Sequence, residues 1–125
     1  MLKINKRLEL RKLIKENLKT LGIEIFYEKN NKKEPKYPYI VYEIEESSFM
    51  YIEREDSILT INVWDKNDST QQVENLAKAA KDMFLYANIP TETILPTFYL
   101  ENILSIQDED KQIKRRQLRI KVEMY

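Results

Sequence analysis

Between residues 4 and 21, Leu10, Leu13, Ile14, Leu18 and Leu21 recur at three- and four-residue spacing, with lysines and glutamates opposite. That spacing is one apolar stripe at helical period. Gly22, the chain's single glycine, follows at once, where a helix end takes a left-handed C′ residue. "IEIFY" (Ile23 to Tyr27) predicts a short strand, and "EKNNKKEPK" a polar turn segment expected to be mobile in isolation. "YPYIVYEIEES" is the first strongly β-prone stretch, and Pro38, which cannot donate to a ladder, belongs at its start or on an edge. "FMYIERED" reads as a loop or hairpin extension. In "SILTINVWDK" (Ser57 to Lys66), Leu59, Ile61 and Val63 fall on one side while Ile58 and Trp64 keep the other apolar. Such a strand is central in a covered sheet or presents one face to a partner.

A second helix is predicted after Ser69, which with Gln72 three residues on reads as a capping box. Its stripe is Val73, Leu76, Ala77, Ala80, Phe84 and Ala87, with alanines small enough for close approach to a sheet. Pro90 and Pro96 bracket a connection. Two strands follow, Phe98 to Gln107 and Gln112 to Tyr125, around a "DEDK" turn. In the last one Leu118, Ile120, Val122 and Met124 alternate with Gln117, Arg119, Lys121 and Glu123, which is sheet period rather than a disordered basic arm. The order α-β-β-β-α-β-β makes the chain α+β, one mostly antiparallel sheet with two helices packed on one face.

Composition narrows the function classes. The 125 residues suffice for a single domain, 1–125. Lysines plus arginines equal aspartates plus glutamates at 21 each, whereas dedicated non-specific nucleic-acid binding shows as net positive charge. No apolar run approaches a membrane span, and no apolar segment follows the early lysines as a signal peptide requires, so neither membrane nor secretion is expected. The chain has no cysteine, which fits a reducing compartment. It has no histidine either, so the usual general base and metal ligand are missing, and its serines lack an activating partner. One glycine cannot build a phosphate-cradling loop. No catalytic residue, cofactor or metal is expected. "DKNDST" resembles a calcium loop only at its start: Thr70 stands where the loop needs glycine and Leu76 where it needs a bidentate glutamate. It reads as a turn before a helix.

What remains is contact chemistry. Residues Lys111 to Tyr125 carry six of the 21 basic side chains. Arg119 and Lys121 are placed to pair across strands with Glu43 to Glu46 or with "IERED". Lys114, Arg115 and Arg116 lie nearer the turn and are expected to be free for a partner. Phe49, Met50 and Tyr51, next to Glu53 and Glu55, are candidate interface anchors.

Three stretches in order carry a family likeness: "YPYIVYE", then "REDSILTINVWDKN" feeding "STQQVENLAKAAKDMF", and finally "QDEDKQIKRRQLRIKVEMY". Over residues 37–125 the chain resembles the small tail-completion proteins of tailed bacteriophages and prophages, also called tail terminators or head-to-tail joining proteins. The family's final hairpin often carries a glycine in its turn, where this chain has "DEDKQ". The resemblance implies a non-enzymatic structural protein that forms a ring, typically a hexamer. It caps the tail tube, meets the tube protein and the head connector, assembles in the host bacterial cytoplasm and ends in the virion tail. The candidate interface is then Phe49, Met50, Tyr51, Glu53, Glu55, Lys114, Arg115, Arg116 and Arg119. The alternative is a small intracellular nucleic-acid-binding module that uses the basic C-terminal hairpin.

Overall fold

The structure, a computed structural model, describes residues 5–51 and 54–125, with the backbone alone for 47–51. Among the described residues two helices and five strands run in the order α1 (Lys6–Lys19), β1 (Glu24–Tyr27), β2 (Tyr39–Tyr51), β3 (Arg54–Lys66), α2 (Gln71–Phe84), β4 (Pro96–Gln107) and β5 (Ile113–Met124). This is the α+β order expected from the sequence. The strands form one sheet in the order β1-β2-β3-β5-β4. β1 pairs parallel to β2, and the other neighbours are antiparallel.

Each helix is set by local chemistry. Asn5 caps α1, its side-chain oxygen accepting from the backbone N–H groups of Arg7 and Leu8. α1 ends at Lys19 with Thr20 as C-cap, so Gly22, at φ 75°, stands one residue beyond the expected C′ position. The capping box at Ser69 does not form. Thr70 is the N-cap and makes no side-chain cap bond, while the Ser69 hydroxyl accepts from Gln71 N–H at 3.1 Å. The segment before α2 instead winds through short side-chain turns, with Ser69 N–H donating to Asn67 Oδ1. Helix start and strand end are tied to the last hairpin by Asn67 N–H donating to the Gln112 carbonyl at 2.8 Å.

Both helices bury their stripes against one sheet face. Leu10, Ile14 and Leu18 of α1 and Val73, Ala77, Ala80 and Phe84 of α2 join Ile40, Tyr42, Ile44, Leu59, Ile61, Val63, Leu118, Ile120 and Val122 in one core. Leu13 and Leu76, expected inside, are half-buried at its margin. Phe84 meets Phe98 of β4 with ring centroids 4.9 Å apart. The aspartates of "DEDKQ" do the work of the absent glycine in the last turn. Asp108 and Asp110 carboxylates accept from the N–H groups of Asp110 and Gln112, which fixes the turn through side chains.

Candidate protein interface

The sheet's other face explains why β3 is apolar on both parities. Cross-strand register places Tyr39, Trp64, Arg115 and Ile106 in one row. Tyr39 and Trp64 stack at 6.1 Å and 14°, and the Arg115 guanidinium lies 4.6 Å over the Trp64 ring. One row on, Asn62 Oδ1 accepts from Arg115 Nε and Nη2 and from Gln117 Nε2. Further along, buried Asp56 takes a two-pronged ion pair from Arg54, Nε to Oδ1 at 2.9 Å and Nη2 to Oδ2 at 3.1 Å. Burial pushes the Tyr39 phenol up to about 12, the neighbouring Tyr37 adds to the rise, and Arg115 opposes it. On the helix-facing side, burial also raises the Tyr42 phenol, against Arg11 of α1, to whose carbonyl Tyr42 donates.

The predicted interface residues therefore separate. Arg115 is occupied by Trp64 and Asn62, and Arg116 pairs with Glu74 of α2 at 3.2 Å with its side chain 14% exposed. Neither is free at the turn, because α2 and Trp64 approach them from opposite faces of the sheet. Lys114 turns back onto the Lys111 carbonyl. Arg119 is exposed, and the expected pairing with Glu43 to Glu46 does not occur. β3 stands between β5 and β2, so Arg119 reaches Glu101 of edge strand β4 at 3.0 Å and Lys121 reaches Glu123 at 3.3 Å. Glu55 is half-buried opposite Met124. Glu53 and the side chains of Phe49, Met50 and Tyr51 lie outside the described residues, although the backbone of 49–51 continues β2.

The two sheet edges carry features that the strand patterns did not single out. At the β1 edge a groove of about 260 Å³ runs between α1 and the sheet, floored by Ile25, Tyr27 and Tyr42 and rimmed by Leu8, Arg11, Lys12 and Lys15. Leu8 is 49% exposed there, and Arg11 lies 3.7 Å over the Tyr27 ring. At the opposite edge β4 is bulged between Leu100 and Asn102, and from Glu101 to Ser105 it is exposed. Ile103 and Leu104, on opposite faces, stay 38% and 48% exposed. The signal was present in "ENILSIQ", which has apolar residues on both parities and no remaining helix to cover either.

No family model and no curated protein matches this chain. Its fold is that of solved particle components. A chain in the virion of a native gene transfer agent particle superposes with a TM-score of 0.69 at 11% identity, covering 89% of this chain and 90% of that one. The gp17 protein of bacteriophage SPP1 superposes with a TM-score of 0.55 at 20% identity, covering 90% and 86%. The chain thus shares its fold, nearly end to end, with proteins of phage and phage-like particles.

Proposed function

We propose that this protein is a structural, non-enzymatic tail-completion protein of a phage or prophage: it closes the tail tube as a ring and joins it to the head connector. The observation that carries the reading is the fold likeness to a gene transfer agent virion component over about nine-tenths of both chains. The sequence resemblance over residues 37–125 agrees with it independently. The surface supports the same reading. A ring subunit needs two different patches that meet head to tail, and this sheet has two differently built edges. The partners are further copies of the chain, the tube protein and the connector, and the location is the host cytoplasm during assembly and then the virion tail.

The test is direct. Purified protein added to polymerising tube protein from the same particle should produce tubes of arrested length with a ring at one end in negative-stain images. Tubes that grow unchanged and uncapped would remove the reading. Salt-sensitive DNA binding by the same preparation would favour a nucleic-acid module instead.

A further inference from the structure

We infer that copies of this chain associate head to tail through opposite sheet edges, the β4–β5 hairpin of one copy seating on the α1–β1 groove of the next. The inference rests on the ring reading only for closure of the series; the contact itself is argued from charge, register and exposed apolar surface.

Charge comes first. The chain is neutral overall, with 21 charges of each sign, yet the signs are sorted across the sheet. Residues 5–38, which make α1, β1 and the following loop, hold ten basic against five acidic side chains. Residues 90–112, which make the opposite edge and its turn, hold five acidic side chains against one lysine. With β1 and β4 at opposite ends of the strand order, the subunit carries a positive edge at α1 and β1 and a negative one on β4 and the turn after it, the basic side chains of β5 standing one strand further in. Such a subunit repels its own kind edge to like edge and attracts it head to tail.

Register brings the apolar parts to the same height. Cα pairing runs Tyr27, Tyr42, Ile61, Leu118, Ile103 in one row on the helix-facing side. The row therefore begins at the floor of the groove and ends at exposed Ile103. A neighbouring copy at the same level lays Ile103 against Tyr27 and Leu8, so the buried layer of one subunit continues into the next. Three residues along the strands, and on the helix-free face, a row runs Glu24, Tyr39, Trp64, Arg115, Ile106, and Lys32 sits on it through Glu24 at 2.6 Å. The acidic turn just past Ile106 thus comes level with Lys32, and Lys33 is its exposed neighbour in the chain. Apolar contact drives the association and charge sets its direction.

Paired charge reversals on the full chain test this, read by sedimentation across concentration and salt. One variant carries Glu101→Lys and Glu109→Lys; the other carries Lys15→Glu and Lys33→Glu. Wild type should self-associate, less so in high salt, and each variant alone should associate about tenfold more weakly or worse. An equimolar mixture should regain association, because each variant's hairpin now meets the opposite sign on the other. Thermal unfolding of each variant checks that it is folded, and Ile103→Asp should weaken association without a matching loss of stability. Wild-type chain that stays monomeric at millimolar concentration, variants that associate normally, or a mixture that does not recover would each overturn the contact. Tube arrest is scored separately: a chain that associates this way but leaves tubes uncapped keeps the contact and loses the tail reading.

Discussion

At the scale of single residues, polar groups on the helix-free sheet face do structural work. Asn62 is nearly buried and its one carbonyl oxygen receives three donors from Arg115 and Gln117. Asn62→Ala removes that acceptor while leaving the donors half-buried. The expected cost is about 1–3 kcal/mol, since unpaired buried donors lose more than a bond's net worth; chemical denaturation measures it, and a change near zero would mean water replaces the oxygen. Tyr39 makes a pH prediction. Its phenol is raised from 10.0 to about 12 in the fold. Between those values the folded chain keeps a proton that the unfolded chain has released, so stability falls as pH rises through the window. The Tyr42 shift has the same direction and adds to the fall. Denaturation midpoints from pH 9 to 12 should drop, and Tyr39→Phe should flatten the drop; an unchanged slope would place the titration elsewhere.

At the scale of elements, α2 lies against the sheet because its inward side is partly alanine. Ala77 and Ala80 sit over β3 and β5 with almost no exposure. Ala80→Leu forces the helix away and should cost about 1–3 kcal/mol, whereas Phe84→Ala, which empties the contact with Phe98, should cost about 3–5 kcal/mol. Similar losses for a surface change such as Lys78→Ala would show that the scale is not reading packing. The two helices and the succession of elements along the chain were legible because Leu10, Ile14 and Leu18 or Leu118, Ile120 and Val122 keep a single period over three inward positions. Cap detail was less legible: Ser69 and Gln72 fit a capping box by spacing, but the turn from Asn67 takes the Ser69 hydroxyl first. The freedom of Arg115 and Arg116 was misread for a different reason. Which groups face an arginine depends on strand order, and period alone cannot say that β3, rather than β2, lies beside β5. The edge features escaped for the same cause, since an edge exists only once the order is known.

At the scale of the whole molecule, strand order also decides where the chain is firm and where it yields. β3 is paired along nearly its full length to β2 on one side and β5 on the other. Its amides should exchange only when the sheet as a whole opens. The outer half of β4 is paired on β5 alone, and from Glu101 to Ser105 it is exposed. Edge pairing of that kind opens locally, at a cost far below global unfolding. In the isolated chain, amides between residues 101 and 112 should therefore exchange much faster than those between 57 and 66. Arg115 bears on the same gradient. Arg115→Glu would lift the stack off Trp64 and place a carboxylate beside Asn62 Oδ1, loosening the inner sheet, whereas Arg119→Glu would disturb only an exposed pair worth about 0–1 kcal/mol. When copies associate, the hairpin gains a neighbour on its open edge while β3 gains nothing. Hydrogen exchange on the assembled form should accordingly slow the hairpin amides by about tenfold or more and leave β3 at its former rate. If the slowing appears in β3 or across α2 and leaves the hairpin unchanged, the copies meet through another surface, and the separation of charge between the two edges serves some end other than assembly.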